Sequence, residues 1–254
     1  MPIAVQSDEV PQLSPVVTAV SVAASMVGAV ALPATPSSHP QPIYAIGDSW
    51  AAGLYADPTH ALIQDAADDL GTTADVDGQS GSGYLVAPPG TATYPERATR
   101  IPAGPGAALV IVQGGSNDVQ SDLSTLPDAV ARTVAGIQAV RPHASVVLLG
   151  PGPDPWPVTG VQRQVDDTLA AEAANLGVRY ISPLREGWFT ADDVDDIIDP
   201  ATHHPTAVGD AVLGAELAAE LRNDAPRPQR PRTSAWLPSL PQRAARARRA
   251  GRPR

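Results

Sequence analysis

The chain of 254 residues contains no cysteine. Disulfides, thiolate metal sites and a cysteine nucleophile are therefore excluded. Lysine is also missing, so all 17 basic residues are Arg; with the abundance of Ala, this is read as a coding bias rather than a functional device. Aromatic residues are scarce at 4% and charged residues few at 17%, whereas hydrophobic residues reach 43%. That balance supports a large core and is unlike the composition of a disordered chain. Positive charge is scarcest in the body. Nine of the 17 Arg follow Asn223, where the only acid is Asp224, so residues 1–222 carry 8 Arg against 26 of the 27 acids. An acidic body repels phosphate, which argues against nucleic acid as a partner.

What is present suggests one domain between two dissimilar ends. Residues 16–32 form an uncharged run, VVTAVSVAASMVGAVAL, followed by the Pro/Ser-rich TPSSHPQP. The run is short for a membrane span and has the small residues of a secretory h-region, with Ala29-Val30-Ala31 at an A-x-A position. Residues 1–40 are accordingly expected to be a signal- or anchor-like segment and linker, giving a secreted or envelope-associated protein. The body is expected over 41–222. Residues 223–254, containing RPQRPR and AARARRAGRPR, are expected to be a disordered Pro/Arg-rich tail, with electrostatic attachment to membrane or cell-wall polymer as its functional alternative.

Within the body, the unbroken apolar run at 107–112 predicts a buried strand, and the segments 43–46, 145–149 and 178–181 predict strands, with a further strand at 73–76. Helical spacing predicts helices over 59–70, 126–140, 158–176 and 206–221, and Gly71 and Gly177 stop the first and third. Strands alternating with helices imply a parallel sheet covered on both faces, a three-layer α/β/α sandwich. Ligands of such sheets bind at the carboxyl ends of the strands.

Those ends carry the suspicious residues. Gly47-Asp48-Ser49 follows the first strand, and Ser49 is expected to open a helical segment near backbone N–H donors. Gly114-Gly115-Ser116-Asn117-Asp118 follows the third, with an amide donor at Asn117. Before the last helix comes Asp199-Pro200-Ala201-Thr202-His203-His204-Pro205, where a histidine on a late loop has the reach to meet a strand-end serine. Each segment alone reads as an ordinary cap or turn. The strand–elbow pattern G-x-S-x-G is absent. Trp188 and Phe189 read as core with pocket lining as the alternative, Tyr84 as a flank of the site, and the loop within 86–101 as unreadable.

Taken in order, Gly47-Asp48-Ser49, Ser80-Gly81-Ser82-Gly83, Gly115-Ser116-Asn117-Asp118 and His204-Pro205 resemble the four blocks of the SGNH (GDSL-like) hydrolases. That resemblance implies a flavodoxin-like sandwich and a serine ester hydrolase without metal or organic cofactor. It implies Ser49 as nucleophile, His204 as general base, and an oxyanion hole of the Ser49 and Gly81 backbone N–H groups and the Asn117 side chain. The family places an Asp three residues before its His, where this chain has Ala201. Asp199 is the expected third member, with Asp195, Asp196 or a Ser–His dyad as alternatives, and His203 as the alternative base. The implied substrate is a lipid, an acylated glycan or a small ester. An acyltransferase, or a non-catalytic envelope protein binding a glycan on the same fold, are the competing functions.

Overall fold

The computed structural model describes residues 42–102, 108–153 and 156–223. The expected N-terminal segment and linker, and all of the tail beyond Asn223, lie outside the described residues. At the centre, β1 (Ile43–Gly47), β2 (Ala74–Gly78), β3 (Leu109–Gln113), β4 (Ser145–Leu149) and β5 (Arg179–Ile181) form one parallel sheet in the spatial order β2-β1-β3-β4-β5. Around it lie α1 (Leu62–Leu70), α2 (Tyr94–Ala98), α3 (Leu126–Val140), α4 (Gly160–Leu176), the one-turn α5 (Pro183–Glu186) and α6 (Val194–Ile197), and α7 (Ala207–Arg222). A two-residue antiparallel pair, β6 (Ile198–Asp199) and β7 (His204–Pro205), precedes α7.

The period-2 alternation of the strands divides the core in two. Ile43, Ala45, Ile111, Val147 and Leu149 pack with Leu62, Ile63, Ile197, Leu213 and Leu217 on one face. Tyr44, Ile46, Val110, Val112 and Leu148 pack with Ala98, Val130, Val134, Ile137 and Leu169 on the other. Both faces are apolar because both are covered, which is the three-layer sandwich that the alternating elements imply. Trp188 and Phe189 are buried in the first cluster, and Tyr84 is buried in the second, edge-on to Tyr94 at 4.8 Å. Tyr84 is thus a core residue rather than a flank of the site.

Gly71 and Gly177 end α1 and α4 in the left-handed conformation, at φ 69° and 67°. A reciprocal cap between Thr159 and Gln162 starts α4. Two expectations need correction. Ser49 opens a run of turns over 49–55 rather than a helix, because Gly53 and Tyr55 take positive φ (64° and 67°) and break the helical path. The predicted helix over 59–70 is a 3-10 turn, Pro58–His60, then a break at Ala61 (ψ 160°) before α1.

The winding of the sheet reverses at β1. From there the chain goes outward to β2 on one side and later to β3 on the other. The loops after β1 and β3 therefore splay apart and leave a crevice at their carboxyl ends.

Helix α1 has no capping side chain of its own at Ala61. Instead, Asp210 of α7 reaches across and accepts the Leu62 N–H at 3.1 Å. Gly214 makes the approach possible, since a Cβ there would lie 2.6 Å from the Asp65 Cβ. The other Asp210 carboxylate oxygen is buried with no hydrogen-bond partner. Burial first, opposed by the Leu62 hydrogen bond and reinforced by Asp65, pushes its pKa up to about 7. A folded-state pKa above the ordinary carboxylate value means the native state holds the extra proton, so stability falls as pH rises between about 4 and 7. Asp210→Asn keeps the acceptor and removes the titration. Its melting temperature relative to the original protein is expected to improve by about 4–8 °C between pH 5 and pH 8, equivalent to ~2 kcal/mol for a domain of this size. A constant difference in scanning calorimetry across that range would contradict it.

Candidate active site

Three strand ends and the β6–β7 pair converge on Ser49. Gly47 ends β1 where any side chain would collide with Ala51 and with the Gln113 side chain. The Asp48 carboxylate accepts the Trp50 N–H at 2.9 Å, and the Gln113 Oε1 accepts the Asp48 N–H at 3.3 Å. Asp48 is buried, and that burial pushes its pKa up to about 7 against the lowering effect of hydrogen bonds to its carboxylate from the Trp50 N–H and the Gln113 side chain. The Ser49 carbonyl accepts the Leu54 N–H at 3.0 Å, closing the turn that carries the serine.

His204 arrives from the opposite direction. The β6–β7 pair sets Asp199 opposite His204, and His203 adopts φ 60° at the turn between them. The Trp50 Nε1–H donates to the His203 carbonyl at 3.2 Å, tying the histidine loop to the serine turn. The result is a His204 Nε2 to Ser49 Oγ distance of 2.8 Å. His204 Nδ1 lies 2.5 Å from the Thr202 carbonyl. A carbonyl only accepts, so in the neutral ring Nδ1 carries the hydrogen and Nε2 offers its lone pair to the serine hydroxyl.

Asp199, the expected orienting carboxylate, does not touch the imidazole. It accepts the Ala201 N–H at 2.7 Å and lies 3.4 Å from the Thr202 N. The reason is local. The turn between β6 and β7 has backbone donors to satisfy, and an Asp at its start does so by bonding two residues ahead. Asp195 and Asp196 are exposed on α6. The alternative base, His203, contributes its backbone carbonyl to Trp50 rather than its ring to Ser49.

The glycine segment and the segment after β3 are locked together. Gly81 sits at φ 75°. The Asn117 side-chain amide donates to the Ser82 carbonyl at 2.9 Å. Asp118 accepts the N–H groups of Tyr84 (3.0 Å) and Leu85 (2.8 Å), and Gly83 is so close that a Cβ would lie 2.5 Å from this carboxylate. Burial raises the Asp118 pKa while these backbone donors lower it. The backbone N–H groups of Ser49 and Gly81 donate to no protein acceptor among the described residues.

Sequence reasoning missed the residue that joins these parts. Arg97, only 2% exposed, lies in the segment that was unreadable as a loop. Its Nε donates to Asp77 at 2.9 Å, and its Nη1 donates to the Gly47 carbonyl (3.1 Å) and the Ser82 hydroxyl (2.9 Å). Its Nη2 donates to the Asp77 carbonyl. The available signal was Thr93-Tyr94-Pro95-Glu96, whose Thr and Glu form a reciprocal cap that starts α2. Also missed were Gln113 and Tyr55, whose ring meets His204 edge-on at 5.0 Å. Among the described residues, no cluster of three or more acidic or histidine side chains is placed to hold a metal ion.

Residues 45–212 match the GDSL-like lipase/acylhydrolase family, and the chain belongs to that family. It is 28% identical over 192 residues to a GDSL lipase of Mycobacterium tuberculosis, covering 70% of this chain and 80% of that one. Among solved structures, it resembles a family 2 carbohydrate esterase with a carbohydrate-binding domain from Corynascus (Myceliophthora fergusii), at TM-score 0.56 and 23% identity over 75% of this chain and 69% of that one. It also resembles a salicylyl-acyltransferase from a tetracycline biosynthetic pathway, at TM-score 0.56 and 18% identity over 74% of this chain and 56% of that one. The fold is thus that of the SGNH hydrolases, with esterase and acyltransferase neighbours.

Removing the Arg97 guanidinium takes a donor from the Asp77 carbonyl and carboxylate and from the Gly47 carbonyl, which keeps the Gln79 N–H at 3.0 Å. Arg97→Met is expected to lower the unfolding free energy by about 1–3 kcal/mol in urea titration. Asp77→Asn, at a partly exposed position, should cost less. Equal and small effects from both would show that the guanidinium bonds contribute little.

Proposed function

We propose that the chain is a carboxylic-ester hydrolase that works through an acyl-enzyme on Ser49. The observation that carries this reading is the 2.8 Å contact between Ser49 Oγ and His204 Nε2, with Nδ1 2.5 Å from the Thr202 carbonyl. Ser49 Oγ attacks the ester carbonyl as His204 Nε2 takes its proton. The tetrahedral oxyanion is held by the Ser49 and Gly81 N–H groups and the Asn117 amide, donors fixed before substrate arrives. His204 then returns the proton to the leaving alcohol, and the carbonyl re-forms as the acyl-enzyme. Water attacks in the second half with His204 again as base, releasing the acid.

The unit is a Ser–His dyad in this reading, with the Thr202 carbonyl fixing the tautomer. A carbonyl dipole stabilises the imidazolium less than a carboxylate does, so the oxyanion donors supply more of the rate. The substrate is a lipid, an acylated glycan or a small ester. The uncharged run at 16–32 and the Arg-rich tail support export and attachment to the envelope. An acyltransferase is the second reading, favoured by the acyltransferase among the structural neighbours. It shares the acyl-enzyme and differs only in the acceptor.

Nitrophenyl acetate hydrolysis by the full chain tests the mechanism. Ser49→Ala and His204→Ala should each lower kcat by about 10³-fold or more. Asp199→Ala should cost less than about tenfold, because its carboxylate serves the turn and not the imidazole. Near-complete loss in Asp199→Ala with the fold intact would restore a triad, and activity retained in Ser49→Ala would remove the mechanism. Faster nitrophenol release on adding an alcohol, with the new ester as product, would favour the transferase.

A further inference from the structure

Tyr55 is the most exposed of the large hydrophobic side chains in the described body, at 71%, although it lies next to the catalytic pair. It is also one of only two non-glycine residues with positive φ among the described residues, at 67°; the other, His203, is in the histidine loop. A bulky residue in that region is held there at a conformational cost, and such positions cluster at ligand sites. Both ends of its segment are fastened. The Leu54 N–H donates to the Ser49 carbonyl at 3.0 Å on one side. Asp57 caps the 3-10 turn through the Thr59 N–H at 2.9 Å on the other. The ring is therefore set edge-on to His204, 5.0 Å away with the planes at 72°, and the rest of it stands in solvent.

Its place relative to the reaction follows from proton transfer. His204 Nε2 must reach the oxygen of the departing alcohol, so the alcohol leaves along the imidazole. The carbonyl oxygen points away from it, toward Gly81 and Asn117. A ring in contact with the imidazole thus borders the leaving-group side. A single open aromatic face suits a molecule with one apolar face and a hydrated rim. An alkyl chain needs enclosure on several sides to remove its surface from water. A pyranose ring needs only its C–H face covered, and its hydroxyls stay in water, as the amphipathic phenol allows.

We propose that Tyr55 is a specificity-determining platform for a glycosyl leaving group, so that the preferred substrates are O-acyl sugars. The inference rests on the ester-hydrolase reading above and names its substrate class.

The test holds the acyl group constant and changes the alcohol. Ethyl acetate and methyl 6-O-acetyl-glucopyranoside are hydrolysed by the full chain and by Tyr55→Asn, Tyr55→Phe and Tyr55→Trp. Asn tolerates positive φ and has no ring, so the backbone is kept while the platform is removed. The ratio of kcat/KM for the acetylated sugar over ethyl acetate should fall about tenfold in Tyr55→Asn, mostly through KM, and stay within about threefold in the Phe and Trp variants. Taking the ratio cancels any effect transmitted through His204. An unchanged ratio in Tyr55→Asn, or wild-type hydrolysis of ethyl acetate but not of the sugar ester, overturns the proposal and leaves the hydrolase reading standing. Hydrolysis of neither ester by the wild-type chain overturns the hydrolase reading itself, and this proposal with it.

Discussion

The arrangement of the site depends on a buried guanidinium. The carboxyl ends of β1 and β2 lie side by side beneath the serine turn, where the Gly47 carbonyl accepts the Gln79 N–H at 3.0 Å and has room for a second donor. Arg97 fills that place from α2, donating to the Gly47 carbonyl, to Asp77 and to the Ser82 hydroxyl. A planar fork with several fixed donors suits three acceptors in different directions, which a point-charge ammonium would not. The same contacts set the distance between the strand end that carries Ser49 and the segment that carries Gly81. Tyr94, one turn earlier on α2, stacks under the guanidinium at 5.3 Å and donates its hydroxyl to the Gln113 carbonyl at 2.8 Å. One short helix thus bonds to the ends of three strands.

This helix explains much of what the sequence did and did not disclose. The five strands and four long helices were legible because their signals are local: short apolar stretches, 3.6-residue spacing, and Gly71 and Gly177 as stops. The serine, the amide and the histidine were legible as segments at strand ends and on a late loop. The five-residue α2 was not, because it lies in a Pro- and Gly-rich stretch and owes its place to a charged side chain buried against backbone carbonyls. An Arg in a sequence reads as surface, and its burial is decided by acceptors that are 15 to 50 residues away. Tyr55 was hidden for a related reason. Its position follows from two successive departures from helical geometry, at Gly53 and Tyr55, and nothing in the spacing of Ala51 to Asp57 foretells them.

Asp199 illustrates a different limit. The residue type and its proximity to His204 were apparent, but the direction of a carboxylate depends on which donors are nearest. In a tight turn the backbone N–H of Ala201 is closer than any imidazole. The carboxylate secures the turn, the turn presents the Thr202 carbonyl, and that carbonyl sets the tautomer of His204. Asp199 then acts on the imidazole only through the backbone.

The proposed mechanism requires an acid-rich body to tolerate a developing negative charge at the oxyanion position. The acids nearest the site are turned to other partners. Asp118 is occupied by the Tyr84 and Leu85 N–H groups and Asp48 by the Trp50 N–H. Burial favours the neutral form of both. Arg97, close below, adds a positive charge that the sheet shields from water. The Ser49 and Gly81 N–H groups, which donate to no acceptor among the described residues, sit in segments held by the positive φ of Gly81 and by the bonds of their neighbours to those carboxylates. Dipoles held this way need no reorganisation as charge appears, which is where such donors gain most of their effect. The buried acids position the donors and contribute little opposing field.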